Sequence, residues 1–468
     1  MAWRRTGSAA CAVPGSAGDD ERDENGMTMA KTAGVTTRLG RRWLLQGAVA
    51  GIAAPYVARA DGKPDKLVFV GDNGPWHWCL TEEVAPAFEK ATGIKVDFTL
   101  LPIDALSARL KAELNGGGND IDIIQWTATF AGWLAPHMED HDKLLAASAS
   151  KHPDYDWDDF LPAIKDMASY QGKLLGIPYR VTASILNYQK QLLADVGFNK
   201  PPENWAEFQA ACIATTKAGA PDRYGLGIWG RQGPAMVGGF SPFLRGNGGA
   251  YFDPKTWEIL INDARAVEAL QYYGDLMTRY KVVVPDAMTW EFDEIVAGGQ
   301  TDRYAMTITL APYGTLINDP KLSKTAGKWA WAVAPGAHSR AESRVSVGGW
   351  TFGVPTSSKH KDWAFEFIQM ATSKEWMRQS LDRGNAPPRV SVLNQPDVQE
   401  RFGWAPVLAE AMKTATLEPR DAIWPTLELQ LRSGIAQVLL GQQTAKQALD
   451  AVAADWVRSL RRAGIKPA

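Results

Sequence analysis

The apolar positions beyond residue 65 fall into two alternating rhythms. Leu67-Val68-Phe69-Val70 is a short unbroken apolar run, the pattern of a strand buried on both faces. Helical spacing then predicts a helix over 82–91 stopped by Gly93, a strand over 94–100, a helix over 103–114 and a strand over 121–126. This β-α-β-α-β order implies a parallel sheet with helices on its faces. Ligands of such sheets sit beyond the carboxyl ends of the strands, which puts Asp72-Asn73-Gly74-Pro75-Trp76 and Gln125-Trp126-Thr127-Ala128-Thr129 on one rim.

A second α/β set follows Gly176-Ile177-Pro178-Tyr179-Arg180. It predicts strands over 184–188 and 224–229, with a helix between them opened by Pro201-Pro202-Glu203-Asn204-Trp205 and running to about Lys217. Over 264–280, Val267, Leu270, Gly274 and Met277 recur at spacings of three and four, so one helix stripe faces a core. Strand patterns return over 304–309, 330–333 and 350–354. Helices are expected over 362–372, 427–440 and 444–460. No period of twenty to fifty residues marks a repeat architecture.

The first sixty residues read differently. Gly40-Arg41-Arg42-Trp43-Leu44-Leu45-Gln46, a mild apolar stretch over 47–54 and Ala58-Arg59-Ala60 form a twin-arginine export signal with a small-x-small cleavage site, too short to anchor in a bilayer. The mature chain is expected to begin near Asp61. Acids at Asp19-Asp20-Glu21 and Asp23-Glu24 do not suit a signal, so Met27 and Met29 are candidate starts. Past residue 60 there are 42 Lys/Arg and 47 Asp/Glu, with no basic stripe to suggest nucleic acid. No cysteine follows the cleavage site to carry a lipid, so a freely soluble periplasmic product is expected. Cys79 and Cys212 lie far apart, and two buried free thiols are the expectation. About 408 residues exceed one ordinary core, so two domains are expected. Seventeen tryptophans follow the leader, enough either to fill cores or to line a surface for flat apolar ligands.

A series of short segments, each weak alone, carries a resemblance by its order. They are Ala87-Phe88-Glu89-Lys90-Ala91-Thr92-Gly93-Ile94, Asp122-Ile123-Ile124-Gln125-Trp126, Gly172-Lys173-Leu174-Leu175-Gly176-Ile177-Pro178-Tyr179 and Leu186-Asn187-Tyr188-Gln189-Lys190. Pro201-Pro202-Glu203-Asn204-Trp205, Gly348-Gly349-Trp350, Ser357-Ser358-Lys359 and Leu439-Leu440-Gly441-Gln442-Gln443-Thr444 complete the series. Over about 66–454 the chain resembles the extracellular solute-binding proteins that serve carbohydrate ABC importers, the maltose-binding group. The resemblance implies an α/β, two-lobed periplasmic-binding-protein fold, with a ligand cleft between the lobes and a helical C-terminal region. It places the first lobe at 61–180 and 312–391 and the second at 181–311 and 392–468. Its function would be hinge closure on a sugar or polyol and delivery to inner-membrane permease subunits, by a monomer that uses no cofactor and no metal.

Within that frame the candidate ligand residues are Asn73, Trp76, Gln125, Trp126, Tyr179, Arg180, Thr182, Trp229, Arg231, Tyr313, Trp350 and Trp424. Loop tryptophans such as Trp76 are poorly explained by packing, and Asn73 can bind hydroxyls or cap a helix. Trp126, Tyr313, Trp350 and Trp424 stand where relatives present aromatic or cleft-edge contacts. Relatives carry an acid and a base beyond the third strand and an acid at the first crossing; here stand Thr127-Ala128-Thr129 and Thr182, which tells against a maltodextrin. Arg180 and Arg231 offer forked donors, so an acidic or phosphorylated sugar is the alternative ligand. A periplasmic carbohydrate hydrolase is a further alternative, although no carboxylate pair is marked out. His137-Met138-Glu139-Asp140-His141 fits neither zincin order, and Gly116-Gly117-Gly118 lacks the ending of a phosphate loop. No catalytic residue is assigned.

Overall fold

The computed structural model describes residues 62–468; the twin-arginine segment and the cleavage site lie outside the described residues. Eleven strands run β1 Lys66–Asp72, β2 Lys95–Leu101, β3 Ile123–Trp126, β4 Ser169–Tyr170, β5 Lys173–Leu174, β6 Ile177–Gln189, β7 Tyr224–Gly227, β8 Tyr304–Leu310, β9 Trp329–Ala332, β10 Ser346–Gly353 and β11 Thr416–Leu417. β1 pairs in parallel with both β2 and β3, as the alternating pattern predicts. Its residues Leu67, Phe69 and Val70 are fully buried, because helices cover both faces.

Strand β6 organises the molecule. All thirteen of its residues are buried. Its first half, Ile177 to Ala183, pairs antiparallel with β10, which in turn pairs with β3. Its second half, Ser184 to Gln189, pairs with β8 and β9, and β8 pairs in parallel with β7. One strand thus leaves the first lobe's sheet and enters the second's. The sequence pattern showed only the second half, since Arg180 and Thr182 interrupt the apolar run. On this pairing, residues 329–332 side with the second lobe, although the resemblance put 312–391 in the first.

The helix expected over 82–91 is two elements. A π-type turn at Leu80–Val84 precedes a helix at Ala85–Thr92, which Gly93 ends at φ 72°. Such wide turns favour functional sites, and this one follows Trp76 and His77 directly. In the helix at Ala264–Thr278 the buried face comprises Ala266, Ala269, Leu270, Tyr273, Gly274 and Leu276, whereas Val267 and Met277 are only half-buried. The face is set by the helix at Trp424–Leu439, which packs so closely that a Cβ on Gly274 would lie 2.6 Å from Val438. A helix at Pro234–Gly246, which the sequence pattern did not indicate, fills the second lobe with Met236, Phe240, Phe243 and Leu244. No helix among the described residues is long and apolar enough to cross a membrane.

Candidate functional site

The carboxyl end of β1 turns sharply at Gly74, where a Cβ would lie 2.2 Å from the Trp76 ring. The indole therefore folds back over backbone that only glycine can supply. Its Nε1–H points to Asp72 Oδ1 at 3.4 Å, and His77 Nε2 lies 2.7 Å from the same oxygen. Tyr179 braces the turn by donating to the Trp76 carbonyl at 3.4 Å. From β6, the Arg180 guanidinium stacks on the Trp76 ring, 4.0 Å from its centroid.

Arg180 is 1% exposed, and its Nε and Nη2 have no hydrogen-bond partner among the described residues. Burial pulls its pKa down, opposed by the neighbouring Tyr313, Asp72 and Tyr179. Tyr313, just beyond β8, is buried with a free hydroxyl, and burial raises its pKa. Arg180, Asp72, Asp293 and Glu291 all lie within electrostatic reach of that hydroxyl. Gln125 joins the group because its Oε1 accepts from the Asp72 N–H at 3.2 Å, leaving Nε2 unpaired. Trp76 and Ala128 belong to the same large apolar cluster as Trp229 and Tyr313.

On the second-lobe side, Trp229 is buried with an unpaired Nε1 and packs edge-on against Phe292 at 5.8 Å. Arg231 is half exposed and bound by its side chain to Glu291, which raises its pKa. That carboxylate keeps one buried oxygen unpaired. The collected groups are mostly donors (guanidinium, amide, indole, phenol) with a few carboxylates. Such a set suits a neutral ligand whose hydroxyls both give and take hydrogen bonds.

The remaining candidates lie elsewhere around this group. Asn73 is exposed, and its backbone N–H is bonded to Leu101. Thr182 is buried opposite Gly348 in the β6–β10 ladder, with no side-chain hydrogen bond among the described residues. Tyr179 stacks on Phe352 at 4.5 Å in the first lobe's core. Trp126 is fully buried in the other first-lobe cluster, against which the half-buried Trp350 packs. Trp424 sits among Tyr251, Phe252 and Trp456 in the second lobe. Glu291 and Asp293 were not singled out from the sequence, whereas Asp72 stood on the expected rim and His77, like Asn73, read as a hydroxyl contact or a helix cap. No pattern pointed to Glu291.

His141 has a structural task. Its Nδ1–H donates to the Glu139 carbonyl at 3.0 Å, and its Nε2 accepts from the Val354 N–H at 3.0 Å. Burial pushes its pKa down to about 4. Among the described residues no group of three His, Cys, Asp or Glu is placed to hold a metal ion. Cys79 and Cys212 are both buried free thiols.

Comparison with known proteins extends this picture. The profile of a family described as bacterial extracellular solute-binding protein matches residues 80–378. The mannitol-binding protein of Pseudomonas aeruginosa is 25% identical over 418 residues, covering 82% of this chain and 90% of that protein. An ABC transporter solute-binding protein from Agrobacterium radiobacter, solved with ribitol, matches at TM-score 0.77 and 23% identity over 85% of this chain and 100% of the other. One from Agrobacterium vitis, solved with D-mannitol, matches at 0.75 and 24% identity over 85% and 99%. The two structures show a shared two-lobed fold.

Proposed function

We propose that this chain, which belongs to the family of bacterial extracellular solute-binding proteins, captures a neutral polyol or small sugar between its lobes and delivers it to the permease of an ABC importer. The observation that carries the reading is Arg180: a buried guanidinium whose Nε and Nη2 have no hydrogen-bond partner among the described residues, stacked on Trp76 and near Tyr313. A buried donor of this kind is stabilised when a ligand supplies acceptors. The similarity to the mannitol-binding protein supports a polyol. We assign ligand contact to Trp76, Gln125, Arg180, Trp229 and Tyr313, with Asn73 and Thr182 at the rim. Tyr179, Trp126 and Trp350 hold the first-lobe side in shape, Arg231 orients Glu291, and Trp424 packs the second lobe.

An acidic or phosphorylated ligand is the less favoured reading. Asp72, Asp293 and Glu291 lie within electrostatic reach of Tyr313, and Arg231 is already committed to Glu291. Closure needs no bond broken, only contacts that the open form lacks. Lobe boundaries follow the strand pairing and packing, with the crossings in β6, between β9 and β10, and near Val392. Twin-arginine export, release near Asp61 and a soluble periplasmic product belong to the same reading and rest on Arg41-Arg42 and the cleavage pattern, and a monomer is expected from the family resemblance.

The test is a thermal-shift panel of erythritol, ribitol, D-mannitol, D-glucose, maltose and D-glucuronate on the mature chain. Saturable stabilisation by a neutral polyol or monosaccharide supports the reading. A response confined to glucuronate would transfer it to acidic ligands.

A further inference from the structure

A second-lobe loop is fastened across the first lobe, away from the Arg180 group. Gly132 lies in the short helix Ala131–Leu134 that follows β3, and its N–H donates to the Arg420 carbonyl at 2.9 Å. A Cβ on Gly132 would lie 2.5 Å from that oxygen, 2.6 Å from Ala422 N and 3.0 Å from Asp421 C, all backbone atoms that cannot swing aside. The Arg420 guanidinium reaches further, donating to the carbonyls of Asp166 at 2.7 Å and Ser169 at 2.8 Å. Ala131 and Leu134 are anchored in the first lobe's core, whereas the loop leads into the helix at Trp424–Leu439, which packs in the second lobe. A separate ion pair between the lobes, Arg432 to Asp104 at 3.4 Å, lies about two helix turns beyond the loop's end.

We propose that residues 418–423 form a closure strap and that Gly132 is its socket, a positioning residue that sets how long the closed lobes hold a ligand. The inference rests on hinge closure as proposed above, but its residues touch neither Trp76 nor Arg180. Backbone-to-backbone contact explains the glycine. Gly132 lies inside a helix and is not among the positive-φ glycines, so its own helix would accept alanine and gain from it. Only the approach of the strap forbids a side chain. Closing the lobes forms the Gly132–Arg420 bond and the Arg420 side-chain bonds to Asp166 and Ser169 together, and opening breaks them all. The strap therefore acts mainly on the rate of ligand release.

Gly132→Ala and Arg420→Ala test this in the mature chain with D-mannitol and ribitol as probes. For Gly132→Ala the account expects a ligand-free melting temperature no lower than wild type. It also expects ten- to hundredfold weaker binding, carried by a faster off-rate with on-rate nearly unchanged. Arg420→Ala should weaken binding in the same way, and Arg420→Lys should restore part of it. Wild-type affinity and off-rate in Gly132→Ala would overturn the proposal. If wild type binds neither probe, the polyol reading fails separately, and amide hydrogen exchange over 131–134 and 166–170 decides the strap in ligand-free protein, where the fraction of closed molecules alone makes these bonds. Faster exchange in both alanine variants than in wild type supports it; equal exchange overturns it.

Discussion

Replacing Arg180 with methionine should separate binding from stability. The guanidinium is 1% exposed, stacks on Trp76 at 4.0 Å and leaves Nε and Nη2 unpaired, so folding strips it of water without returning hydrogen bonds. The stacking on Trp76 recovers about 2 kcal/mol of that cost at a desolvated site. A methionine keeps apolar contact with the indole and removes the buried charge, a change that is commonly neutral or stabilising. The ligand-free melting temperature should stay within about 2 °C of wild type or rise. Binding should behave differently. Each charge-assisted hydrogen bond to a ligand hydroxyl is worth about 1.5 kcal/mol or more, so two of them remove at least ~3 kcal/mol, roughly 150-fold in Kd. Arg180→Lys keeps the charge but loses the planar fork, and should fall between the two. The assays are scanning fluorimetry without ligand and calorimetric titration with D-mannitol and ribitol. A variant that melts more than about 5 °C lower yet binds as tightly as wild type would show Arg180 to be a structural cation and refute the reasoning.

Further outcomes follow from other residues. Arg231→Ala, at an exposed ion pair with Glu291, should weaken polyol binding by less than about tenfold, as calorimetry would show. His141 is held neutral by burial at a pKa of about 4, whereas in the unfolded chain it takes up a proton below about 6.5. Its contribution is full above that pH and is lost as pH falls toward 4, by about 3 kcal/mol, so denaturation curves of wild type and His141→Gln should converge in acid. Glu428 has the opposite sign: burial raises it to about 7, so its contribution is greatest below about 4.5 and is lost as pH rises through 7. Glu428→Gln should therefore gain stability relative to wild type between pH 5 and 8, by roughly 1–3 kcal/mol. Cys79, whose thiol burial pushes to about 12, and Cys212 should both resist thiol reagents in the native protein and react as two thiols once unfolded, with or without reductant. Replacing Arg41 and Arg42 together with lysine should leave precursor in the cytoplasm on fractionation.

The parts of the fold legible in the sequence were those with uninterrupted patterns. β1 and β3 are short, mainly apolar runs, β2 alternates polar and apolar positions, and the helix at Ala445–Arg462 keeps its apolar spacing throughout. The helix at Pro234–Gly246 was invisible because it contains Gly238, Gly239 and Pro242. By propensity these cost about 1 kcal/mol for each glycine and about 3 for the proline. Burial of Met236, Phe240, Phe243 and Leu244, at about 1.5–3 kcal/mol each, outweighs that loss, and no local pattern displays it.

The site was legible only in part, for a related reason. Side chains alternate along a strand, so neighbours in sequence serve different faces. Gln125 meets Asp72 while Trp126 packs into the first lobe's core, and Arg180 stacks on Trp76 while Tyr179 lies against Phe352. An abundance of tryptophan identified a class of residue without telling which rings face the cleft. Glu291 and Asp293 came from a stretch with no recognised element, and only the fold brings them near Tyr313.

The central claim is that both lobes close on a neutral hydroxylated ligand that they leave chemically unchanged. Calorimetric titration of the mature protein with ribitol and D-mannitol, followed by recovery of the ligand, tests it most directly. The account predicts saturable one-to-one binding of at least one of them, with the polyol recovered intact. Absence of heat with every neutral polyol and monosaccharide, or recovery of a converted product, would contradict it.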